Sequence, residues 1–132
     1  MSESPPESQP DPVEGEATYD LYRRGMSLLE RGDYDAAAVP LAKAAAREPE
    51  KSSVREALGR AYFRARRYRE AVSEFEAVVE RYPVNDFAHF CLGRALALSG
   101  RSDRARRHLA LAANLRPDRR DYRAYRERLA GS

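Results

Sequence analysis

The sequence predicts an all-α fold, a stack of three helix-turn-helix hairpins closed by a C-terminal helix. Three observations carry that expectation. A small residue, a large apolar residue and a proline recur at an interval of 34, as Ala37, Leu41 and Pro49, then Ala71, Phe75 and Pro83, then Ala105, Leu109 and Pro117. The preceding half of each unit keeps the same interval, with Gly25, Gly59 and Gly93 each followed three residues later by Leu28, Tyr62 and Leu96. The register passes through all three copies without an insertion. A fixed period of this size marks a repeat array, in which each unit buries its apolar face against the next.

The elements follow in order. Residues 1–17 contain four prolines and only Ala17, Val13 and Met1 as apolar side chains, so the segment is expected to be a disordered, acidic, proline-rich tail. The repeat domain then spans 18–129, with repeats at 18–51, 52–85 and 86–119. Its hairpins pair helices at 18–31 with 35–47, 52–65 with 69–81, and 86–98 with 103–114. Turn signals separate the helices of each pair: GD at 32–33, RR at 66–67 and SGRSD at 99–103. Within a hairpin, the glycine and alanine columns allow two helix backbones to approach closely. Each recurring proline lacks an amide hydrogen and disfavours helix in the residue before it, which ends the second helix of its repeat. Pro40 falls inside a predicted helix, where it removes one backbone hydrogen bond and is expected to bend the helix rather than abolish it. After Pro117, Tyr122, Tyr125 and Leu129 lie at helical spacing. The segment 119–129 is therefore predicted to cap the exposed end of the stack.

The residues LGRAY at 58–62 and AVSEF at 71–75, with Pro83, resemble the tetratricopeptide repeat family, whose pattern is W-x2-L-G-x2-Y, then A-x3-F, then P, at a period of 34. The resemblance covers roughly residues 18–117. It departs from the pattern in the tryptophan column, which holds Leu21, Arg55 and His89, and at Arg24 in the first copy's leucine column. The fold it implies is a right-handed superhelical stack of the three hairpins with the C-terminal capping helix.

Charge and composition narrow the function. Residues 1–17 hold five acidic residues and no basic one, so that segment carries −5 and the remainder +8. Only Lys43 and Lys51 are lysines among 24 basic residues, and this arginine excess, with abundant alanine, suggests a G+C-rich bacterial genome. The single cysteine, Cys91, cannot form an intramolecular disulfide; a small buried thiol in a reducing, cytoplasmic setting is expected. No signal-peptide pattern opens the chain, and no apolar run reaches the length of a membrane span, so a soluble protein is expected.

Catalytic constellations are missing from the sequence. There is no HExxH, GxSxG or phosphate loop, and His89 and His108 fall on different helices without metal-ligand spacing. Glu74 and Glu76 are two apart on a helix, do not face each other, and are expected to solvate the surface. A non-enzyme with neither cofactor nor metal is expected.

Binding is the function the resemblance implies. In the family, the first helices of successive repeats line a concave groove. Carried over by column, the groove residues are Tyr19, Tyr22, Met26 and Leu29 in the first repeat, Glu56, Arg60, Phe63 and Arg64 in the second, and Phe87, Phe90, Arg94 and Leu98 in the third. Arg60 and Arg94 share a column, and guanidinium groups among rings suit an acidic segment or a terminal carboxylate. Family members that clamp the chaperone C-terminus use a lysine and an asparagine where this chain has Tyr22 and Met26, so that clamp is absent. The alternative partner is nucleic acid, on the basic runs RARRYR at 64–69, RSDRARRH at 101–108 and the arginines of 116–128. No membrane partner is expected.

Overall fold

A computed structural model describes residues 12–130, with side chains from Ala17 onward. Among the described residues seven helices follow one another: α1 (Pro12–Glu30), α2 (Tyr34–Arg47), α3 (Ser52–Arg64), α4 (Tyr68–Arg81), α5 (Asp86–Leu98), α6 (Ser102–Leu115) and α7 (Arg120–Ala130). Each pairs with its neighbour in sequence, and α1 with α3 and α3 with α5 also touch, so the first helices of the hairpins form one layer.

The hairpins agree with the 34-residue period, but α1 begins earlier than expected. Its first residue is Pro12 rather than residue 18, so residues 12–17 belong to a helix and not to a tail. Proline suits a first helical position, because its φ is preset and its missing amide would have no partner there. The expectation of disorder for residues 1–11 lies outside the described residues. Pro40 sits within α2, which runs unbroken past it, and its ring is buried.

The three hairpin turns share one geometry. Gly32, Arg66 and Gly100 all adopt a left-handed backbone, with φ of 83°, 65° and 84°. In each, the next amide reaches back over the helix end: Asp33 to the Leu28 carbonyl at 2.9 Å, Arg67 to Tyr62 at 2.8 Å and Arg101 to Leu96 at 2.8 Å. These bonds satisfy carbonyls that a helix end leaves unpaired, as in a Schellman cap.

Packing inside a hairpin rests on a knob of 16 residues' separation. A Cβ placed on Gly59 would lie 2.7 Å from Phe75 Cζ, and one on Gly93 would lie 2.7 Å from Leu109 Cγ; Gly25 faces Leu41 in the same way. Ala37, Ala71 and Ala105 are fully buried beside them. At the C-terminal end, the Tyr122 ring packs at a tilt against Phe90 with centroids 4.6 Å apart. Its hydroxyl donates to Asp86 Oδ2 at 2.7 Å. Burial, then that hydrogen bond, pushes its pKa up. Tyr125 and Leu129 pack half-buried beside it, so α7 covers the third hairpin as its apolar stripe predicts.

Candidate peptide-binding groove

Because α1, α3 and α5 lie side by side, residues at matching positions converge. A cleft of about 490 Å³ opens there. It is lined by Leu29 and Glu30 at the end of α1, Tyr34 at the start of α2, Arg60, Phe63 and Arg64 on α3, Phe75 on α4, and Phe87, Phe90, Cys91 and Arg94 on α5.

Seven of the twelve expected groove residues are among these: Leu29, Arg60, Phe63, Arg64, Phe87, Phe90 and Arg94. The other five lie elsewhere. Tyr19 and Tyr22 line a separate depression of about 220 Å³ beside Glu48, Lys51 and Val54. At about 1.5 Å of rise per residue, they stand roughly 10–15 Å along α1 from Leu29. Met26 packs against the core between α1, α2 and α3. Glu56 accepts a hydrogen bond from Asn85 Nδ2 at 2.6 Å. Leu98 is exposed at the last position of α5, outside the lining. Glu30, Tyr34, Phe75 and Cys91 were not foreseen in the cleft. The first two flank the turn at 31–33, where a column taken from helix positions stops.

Arginine dominates the cleft's electrostatics. The Arg94 guanidinium lies 4.8 Å from the Phe63 ring centroid, 4.7 Å from Tyr125 and 5.7 Å from Phe90. Rings on α3, α5 and α7 thus hold it in place, and each such contact favours the charged group. Arg64 sits 5.0 Å from the Tyr34 ring centroid and donates to the Tyr34 hydroxyl at 2.9 Å. Arg60 is exposed, and neither it nor Arg94 has a carboxylate partner among the described residues. Three guanidinium groups therefore face one lining carboxylate, Glu30. Burial pushes the Cys91 thiol up to about 12, against the pull of Arg94 and Arg60.

Elsewhere the structure corrects the sequence reading of several polar residues. Glu74 and Glu76 are not merely solvated. Glu74, half-buried, receives Arg55 Nη1 at 3.0 Å, and burial raises its pKa while Arg55 lowers it. Glu76 pairs with Arg104 of α6. The two histidines, separate in sequence, meet: His89 Nδ1 lies 3.0 Å from His108 Nδ1, and His89 Nε2 lies 2.8 Å from the Pro83 carbonyl. A carbonyl can only accept, so Nε2 of His89 carries the proton. In the neutral pair, His108 Nδ1–H then donates to His89 Nδ1. No group of three or more metal-ligating side chains occurs among the described residues.

Five of the fourteen arginines in the basic runs pair with carboxylates among the described residues, Arg104 with Glu76 being one of them. Arg67 meets Glu70 and Asp35, Arg106 meets Asp103, Arg116 meets Asp118, and Arg119 meets Asp121. The positive charge of these five is locally offset, which lowers their contribution to a phosphate-binding face. No helix among the described residues is long and apolar enough to cross a membrane.

Comparison with known proteins gives the architecture a context. Two tetratricopeptide repeat patterns match, one over residues 56–123 and another over 21–50. A search of curated proteins finds no match. Among solved structures, the first such domain of Spaghetti (RPAP3), bound to the HSP90 peptide SRMEEVD, superposes with a TM-score of 0.82 at 18% identity, over 88% of this chain and 92% of that one. MamA MSR-1 C2 is 30% identical, with a TM-score of 0.75 over 87% of this chain and 68% of its own. The Yersinia enterocolitica type III secretion chaperone SycD, in complex with a peptide of the translocator YopD, is 16% identical with a TM-score of 0.75, over 92% of each chain.

Proposed function

The chain belongs to the tetratricopeptide repeat family, and from that premise we propose that it is a non-catalytic adaptor whose cleft holds an extended acidic segment, or a terminal carboxylate, of a partner protein. The observation that carries this reading is the unbalanced charge of the cleft. Arg60, Arg64 and Arg94 line it against Glu30 alone, and aromatic rings flank the guanidinium groups. Such groups bind carboxylates through charge-assisted, often paired hydrogen bonds, while rings cover the neighbouring apolar side chains. Both peptide-bound relatives support the class of partner, and the peptide SRMEEVD of the first is itself acidic. The half-buried, unpaired Cys91 thiol suits a reducing, cytoplasmic setting, and the arginine-rich composition suits a bacterial one.

The test is fluorescence anisotropy with a labelled acidic peptide, prepared with free and with amidated C-termini. Arg60→Ala should weaken binding at least about tenfold, since a hydrogen bond to a charged group is worth about 1.5–3 kcal/mol. Arg94→Lys should weaken it too, because lysine keeps the charge but loses the planar fork. Arg107→Ala, exposed on α6 and outside the cleft, should change nothing. Equal losses in all three variants would replace the groove with a general electrostatic surface. Free and amidated peptides that bind alike would select the acidic segment over the terminal carboxylate.

A further inference from the structure

The arginine column does not end at the third repeat. Adding the 34-residue period to Arg60 and Arg94 reaches Arg128, so one column holds three arginines, on α3, α5 and α7. Ring contacts at Arg94 and Arg128 make the later part of this column a physical series and not only a numerical one. The Phe63 ring lies 4.8 Å from the Arg94 guanidinium, Arg94 lies 4.7 Å from the Tyr125 ring, and the Arg128 guanidinium lies 4.7 Å from that same ring. Ring and cation thus alternate from α3 through α5 to α7. Arg128 is exposed and, like Arg60 and Arg94, has no carboxylate partner among the described residues. By contrast, Arg119 of the adjoining turn is committed to Asp121.

We propose that α7 is a fourth rung of the recognition surface as well as a cap, and that the three-arginine column reads an extended partner segment with carboxylates at every third residue. The proposal rests on the adaptor reading above. Its spacing follows from two lengths. Packed helices stand roughly 8–10 Å apart, and an extended chain rises about 3.3 Å per residue. A segment crossing α3, α5 and α7 therefore brings about one residue in three to each arginine. The flanking rings restrict the Arg94 and Arg128 guanidinium groups to few orientations, so less conformational freedom is lost when a carboxylate docks there. Arginine offers both edges of a planar fork, which suits a carboxylate side chain at each rung.

The experiment uses the full chain and two labelled, C-terminally amidated peptides of equal length. One carries glutamates at positions i, i+3 and i+6; the other replaces the last with glutamine. The wild type should bind the three-carboxylate peptide about tenfold more tightly than the two-carboxylate one. Arg128→Ala should erase that preference while leaving the two-carboxylate affinity within about twofold, since that peptide can settle on Arg60 and Arg94. Arg123→Ala, exposed on the same helix, should retain the preference. Circular dichroism should show the same melting temperature for Arg128→Ala as for the wild type.

Other results separate the two readings. If Arg60→Ala weakens both peptides and Arg128→Ala weakens neither, the adaptor cleft stands and the α7 rung is overturned. A glutamate spacing of two or four that binds as well as three overturns the register. Displacement of the peptide by a short single-stranded DNA of equal charge, with the same dependence on Arg128, overturns it in favour of unspecific anion binding. If neither peptide binds the wild type, both readings fall.

Discussion

His89 and His108 meet through their Nδ1 atoms at 3.0 Å across the third hairpin, nineteen residues apart in sequence. Arg55 and Glu74 have the same separation in the second hairpin and meet at 3.0 Å. In the first hairpin the equivalent positions hold Leu21 and Pro40, both buried. A single cross-hairpin position is thus filled by an apolar set, an ion pair or an imidazole pair. This accounts for the departures in the tryptophan column: the occupant on the first helix changes together with its counterpart on the second.

The imidazole pair makes stability depend on pH. Burial first, then His89, Arg104 and Arg107, hold His108 down at about 4, against an ordinary value of 6.5. Between these values the unfolded chain binds the proton that the folded chain refuses. Stability should therefore fall as pH drops from about 6.5 towards 4, and this contribution should level off below that. For a half-exposed ring the loss is roughly 1–2 kcal/mol after solvent screening. His108→Asn keeps a side-chain N–H for His89 but cannot titrate. Denaturant melts at pH 7.5 and 4.5 should show the wild type losing about 1–2 kcal/mol more than the variant. Equal losses would refute the assignment.

Close packing predicts a second set of variants. Gly59→Ala places a Cβ 2.7 Å from a fully buried Phe75 ring, and overpacking of this kind costs about 1–3 kcal/mol. Alanine's helix propensity, about 1 kcal/mol better than glycine's, offsets only part of that. Ala71→Leu, at a fully buried site in the same hairpin, should cost about 1–3 kcal/mol. Thermal melts should fall by several degrees in both cases. An unchanged melting temperature would mean that α3 and α4 do not pack in this register.

The fold was legible because its punctuation has positional meaning. Gly59 opposite Phe75 and the recurring prolines each do one job that few other residues can do, so their period reveals the hairpins. The start of α1 was not legible, because a segment with little to bury gives no amphipathic signal at Pro12. Helix columns lead to Arg60, Phe63 and Arg94, which line the cleft, and also to Tyr19 and Tyr22, which line a separate depression because they lie too far along α1. Pairings such as His89 with His108 depend on how two helices face each other, and no spacing within either helix reveals that. Arg128 could have been found, since the period already ran to it.

The middle turn carries a residue poorly suited to its backbone. Arg66 adopts φ of 65° where Gly32 and Gly100 occupy the same place in the other hairpins. A left-handed conformation costs an L-residue roughly 1–2 kcal/mol, whereas glycine adds about 0.4–1 kcal/mol of unfolded-state entropy to be lost. Arg66→Gly should therefore stabilise the chain by up to about 1 kcal/mol. Its melting temperature should rise by a few degrees, and a fall would show that the Arg66 side chain makes a compensating contact.

Cys91 provides a direct probe of the cleft wall. Burial is the main reason its thiol is pushed up to about 12; Glu56 adds to the rise, while Arg94 and Arg60 oppose it. Only the thiolate attacks an alkylating reagent. At pH 8 the folded chain holds a thiolate fraction on the order of 10⁻⁴, against roughly a tenth to a quarter for an ordinary cysteine. Iodoacetamide should therefore label the native protein about 10³-fold more slowly than the denatured chain, and the half-buried position of the sulfur should slow it further. The pH profile distinguishes the causes. If ionisation limits the reaction, the native rate keeps rising tenfold per pH unit up to pH 10, while the denatured rate flattens near 9. A native rate that flattens with the denatured one would place the thiol in a solvated setting, and the cleft wall at Cys91 would then be open to water.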